Sequence, residues 1–144
     1  MSDAITQRLG DEEFVSLITY KRSGDAVATA MWVVRDGDRL LMWTPAAAWK
    51  VKRVRHNPRV TLTRCSRSGK VKPGEQTYTG TAEVITDPAV VDHAHALVKQ
   101  KYGLQYWVIM TIETIVARGR TPRTALGISL QPSAQPSGDQ SRDT

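Results

Sequence analysis

Cysteine occurs once, at Cys65, so the chain cannot form an internal disulfide and has no cysteine pair for a zinc site. That usage suits a reducing compartment, and the expected location is the cytoplasm. No apolar run approaches the roughly 20 residues that a membrane-crossing helix needs, so no membrane partner is expected. Met1 to Glu13 is polar and acidic and lacks the apolar stretch of a secretory signal. The three histidines, His56, His93 and His95, share no metal-ligand spacing with Cys65, and no metal is expected. A further lack is local. No Asp or Glu falls between Arg39 and Gly74, where ten basic residues do: Arg39, Lys50, Lys52, Arg53, Arg55, Arg59, Arg64, Arg67, Lys70 and Lys72. Taking these from the 20 basic residues leaves 10 against 14 acidic ones, so the rest of the chain is net −4 while the whole is +6. A positive field this confined points to a specific anionic ligand or a nucleic-acid face.

What is present fits one domain. At 144 residues and 40% hydrophobic content the chain can bury a real core. Phe14 to Tyr20 reads as a strand, Arg22 to Asp25 as a turn, and Ala26 to Val34 as a second strand. Arg35-Asp-Gly-Asp38 is a hairpin signal leading into a third strand at Arg39 to Trp43, so these elements form a meander. Further strands are expected at Arg59 to Cys65, Gln76 to Ile85 and Thr124 to Leu130. Asp87-Pro88 opens a helix through Lys101 that Gly103 ends. Leu104 to Ala117 suits either a helix or a strand. Residues 131–144, rich in Ser, Pro, Gln and Asp, read as a disordered tail after a domain at 1–130. The expected fold is α+β, an antiparallel barrel of about six strands with short flanking helices.

Thr44-Pro45 has the form of a helix start, with Thr as cap and Pro at the first position, and Asn57-Pro58 ends the segment. The first turn of a helix exposes unpaired N–H groups and the positive end of the dipole, which attract phosphate. Lys50 and Arg53, three residues apart, fall on one face. The same pattern also suits a solvated basic face, and composition alone leaves both readings open.

The stretch Arg39-Leu-Leu-Met-Trp-Thr-Pro-Ala-Ala-Ala-Trp-Lys-Val-Lys-Arg-Val-Arg-His-Asn-Pro-Arg-Val60 resembles the flavin-phosphate segment of the pyridoxamine 5′-phosphate oxidase-like superfamily. Phe14 to Gly24, Met31-Trp32-Val33, Lys50 to Arg53 and Arg59 to Leu62 resemble its deazaflavin-dependent branch, which uses coenzyme F420. The resemblance covers roughly residues 12–102 and is most specific in the central segment. It implies a split-barrel homodimer with the cofactor at the subunit interface. It also implies that Trp43 and Thr44 touch the cofactor, and that Trp49 and Lys50 sit at its phosphate with Lys52 and Arg53 nearby. The strand Ala28 to Val33, with Thr29 and Met31, would line the ring. Two departures separate this chain from the oxidases. Ala28 stands where they place a phosphate-binding Arg, and Ala48 where they commonly have Ser. Ala30 replaces a Pro found in many deazaflavin relatives. F420 carries a phosphodiester and a tail of glutamates, so it uses more cations than the single phosphate of FMN.

Hydride transfer leaves the electronic work to the cofactor, so no nucleophile or triad is required, and no catalytic residue is assigned. Cys65 reads as a packed thiol. His93 and His95 lie two apart on a helix and face different ways. Tyr20 and Tyr106 read as structural. Trp32 and Trp43 suit core packing, whereas Trp49 and Trp107 suit a ring cover or a dimer seal. The leading expectation is an oxidoreductase that takes a hydride from reduced F420 to a small organic substrate. An FMN enzyme on the same fold and a non-catalytic F420 carrier are the alternatives. Nucleic-acid binding ranks last, because the basic segment has no recognised reading motif.

Overall fold

A computed structural model describes residues 3–108 and 122–131. Ten elements follow one another: α1 (Asp3–Gly10), β1 (Val15–Tyr20), β2 (Ala26–Met31), β3 (Val34–Asp36), β4 (Arg39–Pro45), α2 (Trp49–His56), β5 (Arg59–Arg64), β6 (Tyr78–Ile85), α3 (Pro88–Tyr102) and β7 (Arg123–Leu130). The strands form one antiparallel sheet in the order β2-β1-β5-β6-β7-β4-β3. Its two outermost strands, β2 and β3, are joined by residues 32 and 33 alone, so the sheet curls into a split barrel. The expected α+β architecture is found, with seven strands instead of about six.

The extra strand comes from a break in the second one. The Val33 N–H donates to the Tyr102 hydroxyl (3.0 Å), and the Val33 carbonyl accepts from Lys101 Nζ (2.6 Å). Backbone groups bonded to the end of α3 cannot serve a sheet ladder as well. β2 therefore stays with β1, while β3 turns to pair with β4 through the hairpin at Gly37 (φ 63°), where a positive φ favours glycine. The meander survives with this kink in it.

Two clusters of apolar side chains divide the sheet by its period of two. Leu40 and Met42 face the barrel interior with Val15, Leu17, Val60 and Leu62, and α2 adds Val51 and Val54. Leu41 and Trp43 face the other way, against Ala94, Val98 and Tyr102 of α3. Each such burial contributes about 1.5–3 kcal/mol. In β6, a Cβ at Gly80 would meet the Ser129 carbonyl at 2.8 Å, which ties that residue to its close pairing with β7.

Two local readings need correction. Thr44 and Pro45 close β4 instead of opening a helix, because β4 keeps its register with β7 as far as Pro45–Arg123. α2 starts at Trp49, with Ala48 as an N-cap that makes no side-chain bond. α1 was not expected from the polar N-terminal segment; it forms because Ile5 and Leu9 reach the barrel core. The ambiguous 104–117 segment is helical at 104–108; its remainder and the tail at 132–144 lie outside the described residues.

Candidate functional site

α2 packs on β1 and β6 through its apolar edge and turns its basic face outward. Between that face and the β1–β2 turn runs a groove of about 720 Å3 lined by Tyr20, Lys21, Arg22, Ser23, Trp49, Lys52, Arg53 and His56. The helix contributes positions 49, 52, 53 and 56, which share one side at α-helical spacing. Two lysines, two arginines and no carboxylate line it, so its field is positive. Arg53 is held by its Nε bond to Thr19 Oγ1 (2.7 Å), and Lys52 lies over the Trp49 ring at 4.4 Å. Trp49 is 70% exposed, which leaves most of its indole for a ligand. Arg59 covers the Tyr20 ring at 4.9 Å, and the Tyr20 hydroxyl bonds Thr61 Oγ1 (2.7 Å), fixing the groove's far wall.

A second feature lies at the start of α2. Thr44 Oγ1 is buried and has no hydrogen-bond partner among the described residues. A buried hydroxyl without a partner costs about 1–3 kcal/mol, which an incoming acceptor would recover. Lys50 is half-buried, and burial, with Arg53 beside it, pulls its pKa below the usual lysine value. A cation so placed gains from an anionic partner. Ala48, the N-cap, makes no side-chain bond, and its carbonyl takes the Val51 N–H (3.0 Å), so the anion-attracting N–H groups of the first turn of α2 are those of Trp49 and Lys50.

The expected site residues therefore separate. Trp49, Lys52 and Arg53 come together in the groove. Thr44 and Lys50 belong to the strand–helix junction, and Lys50 does not line the groove. Trp43 points to the opposite face of β4, where it stacks on His95 at 4.2 Å with Arg123 over its ring at 4.5 Å. On β2, Thr29 is half-buried and Met31 is a core side chain at 8% exposure. Tyr20, Lys21, Arg22, Ser23 and His56 were missed. The adjacent Lys21-Arg22 pair in a predicted turn was the available signal, but only the tertiary fold sets it opposite α2.

Other candidates resolve simply. His93 reaches Asp36 (3.2 Å) while His95 bonds the Tyr106 hydroxyl, so the two diverge as their spacing requires. Burial pushes the Cys65 thiol up, away from thiolate reactivity. A second groove of about 530 Å3 beside Cys65 has mixed charge, with Arg64 paired to Glu75 (3.0 Å) and Glu12 (3.3 Å), and so lacks a one-sign field. The described residues hold no group of three or more potential metal ligands and no helix long and apolar enough to cross a membrane.

A family model described as pyridoxamine 5′-phosphate oxidase matches residues 1–132. The chain belongs to that family. The family is one of oxidoreductase-type proteins that bind flavin-like cofactors. No match was found among curated proteins. Solved structures share the fold. A conserved hypothetical protein from Mycobacterium tuberculosis is 20% identical, with 92% of this chain and 82% of that one covered and a TM-score of 0.67. A putative pyridoxamine 5′-phosphate oxidase from Listeria innocua is 17% identical, with 91% and 94% covered and a TM-score of 0.62. A protein described as an F420 reductase is 16% identical, with 88% and 93% covered and a TM-score of 0.58. A heme storage protein and an FAD-binding protein also share the fold, so architecture alone sets no cofactor.

Proposed function

We propose that the protein is an oxidoreductase that uses reduced coenzyme F420 to reduce a small organic substrate, as a cytoplasmic homodimer. The observation that carries this reading is the groove: Lys21, Arg22, Lys52 and Arg53 with no carboxylate among them. Four basic side chains, with Lys50 near by in the chain, exceed what one phosphate needs and suit a phosphodiester with a glutamate tail. Thr44 Oγ1, Lys50 and the open start of α2 supply a donor set for the phosphodiester itself. Trp49 offers an exposed indole to a planar ring. Arg53, fixed by Thr19, orients the anion, while Lys52 and the turn residues Lys21 and Arg22 hold what extends beyond it. Thr29 and Met31 would bring the β2 backbone to the ring. When bound, the cofactor supplies two-electron hydride chemistry; the chain supplies binding, orientation and shielding from water.

Fluorescence titration decides the cofactor. F420 should bind at micromolar concentration or tighter, and more tightly than FMN, with affinity falling as salt rises. No F420 binding at micromolar concentration, or purified protein carrying FMN, would overturn the reading. Tight binding without turnover across activated alkenes and quinones would favour a carrier.

A further inference from the structure

Nine aromatic residues occur in the chain, and five of them meet in one cluster between α3, β4 and the helical turn at 104–108. Tyr102 stacks on Trp32 at 4.6 Å, Trp32 approaches Tyr106 at 6.4 Å, and Tyr106 approaches Trp43 at 6.2 Å. Trp107 meets the Tyr106 ring edge-on at 5.3 Å and is itself 60% exposed. Aliphatic side chains would fill such a volume equally well. Indole and phenol differ from them in giving up an electron with comparative ease.

The two tyrosines of the cluster differ in what holds their hydroxyls. Tyr102 accepts from the Val33 N–H and donates to the Glu13 carbonyl (2.8 Å), so its proton faces backbone oxygen only. The Tyr106 hydroxyl bonds His95 Nε2, a true base. Burial and the nearby Lys99 and Arg123 keep His95 below the usual histidine value, against the pull of Asp92, so a neutral imidazole waits on that hydroxyl. A phenol can lose an electron at moderate potential only when its proton has somewhere to go. Tyr106 has that outlet and Tyr102 lacks it.

We propose that this cluster is a hole-conducting chain that runs from exposed Trp107 to Tyr106, with Trp43 and Trp32 as side branches, and that it disposes of one-electron oxidants of the peroxyl or carbonate-radical class. The oxidant takes one electron from the Trp107 indole and is reduced. Tyr106 returns an electron to Trp107; its O–H bond breaks, and the proton passes along the existing hydrogen bond to His95 Nε2. The products are a neutral tyrosyl radical at Tyr106 and an imidazolium at His95. A small thiol then donates a hydrogen atom: its S–H bond breaks, the phenol O–H re-forms, and His95 releases its proton to solvent, while the thiyl radical left behind pairs with a second one to form a disulfide. This chemistry needs no bound cofactor and stands apart from the groove.

Flash photolysis of the full chain with ruthenium(II) tris-bipyridine and persulfate supplies the one-electron oxidant. Wild-type protein should show a tyrosyl radical by transient absorption and, after freezing, by electron paramagnetic resonance. Tyr106→Phe should lower the tyrosyl yield several-fold and leave a tryptophan radical in its place. His95→Phe, which keeps a ring stacked on Trp43, should slow tyrosyl formation and abolish its solvent deuterium effect. Should either variant fail to fold, fluorotyrosine placed at position 106 alone alters the radical's hyperfine pattern without removing the hydroxyl. An unchanged tyrosyl yield in Tyr106→Phe, an unchanged rate in His95→Phe, or a hyperfine pattern blind to fluorine at 106 would each overturn the proposal.

Discussion

The faces covered by α2 and α3 are built from the same sheet but to opposite specifications. α2 buries only Val51 and Val54 and presents basic side chains to a groove whose charges oppose one another. α3 buries Ala94, Val98 and Tyr102 and presents stacked rings and a clamp of hydrogen bonds that ties the β2–β3 break in place. Charge crowded without counter-ions does not stabilise a fold; it repels, and it is repaid when an anion binds. Rings and bonded backbone groups stabilise the fold with no ligand at all. The α2 face is thus arranged for binding and the α3 face for holding the barrel's curl.

That contrast breaks most readily at Tyr102. Tyr102→Ala removes the ring stacked on Trp32 and both bonds to Val33, and should cost about 3–5 kcal/mol in denaturant unfolding. F420 affinity of the folded variant should stay near wild type; a large loss would merge the two faces into one functional unit. On the other face, Lys50→Ala and Arg53→Ala should each weaken F420 binding by about 1–3 kcal/mol, the scale of a charge-assisted hydrogen bond, while melting temperatures change little. Comparing them locates the anion. If only Arg53→Ala matters, the groove holds the phosphate; if only Lys50→Ala matters, the strand–helix junction does.

A subtler test uses pH. The Lys101 ammonium reaches the carbonyls of Val33 (2.6 Å), Glu12 (2.6 Å) and Gly10 (2.7 Å), and burial pulls its pKa to about 8 against the pull of Asp11, Glu12 and Glu13. In the unfolded chain the ordinary value of 10.5 returns. Between these two values the unfolded state binds more protons, so this group's contribution to stability rises with pH across that window. Urea midpoints of wild type relative to Lys101→Met should therefore improve from pH 8 towards 10.5. A flat or falling difference would show that the three carbonyls, not burial, govern the amine. The smallest effect belongs to the half-buried Arg39–Asp36 pair at the β3–β4 hairpin (3.4 Å), where Arg39→Ala should change stability by about 0–1 kcal/mol and leave binding untouched.

Much of this was legible wherever the instruction was local. Asp36-Gly37 marks its hairpin, Asn57-Pro58 ends α2, and Asp87 caps α3 through a bond to the Ala89 N–H (3.0 Å) while Gly103 closes it. The density of cations on α2 is likewise a fact of sequence. Trp43 and Trp49 show the limit. Both were expected at one cofactor, yet β4 alternation turns Trp43 towards His95 while helix phase turns Trp49 into the groove.

By itself the sequence determined most of the strands and the helices α2 and α3, and that one of these helices carries cations without acids, because caps, prolines, glycines and residue periods act over a few neighbours. Only the tertiary structure decided that the second strand breaks at Val33, that Thr44 extends a strand instead of capping a helix, and that Lys21 and Arg22 face α2 across a groove. Each of those outcomes depends on a partner distant in the chain: Tyr102 for Val33, β7 for Thr44, and the helix opposite the turn for Lys21 and Arg22. The basic segment's chemistry was written locally, but its geometry comes from what folds against it.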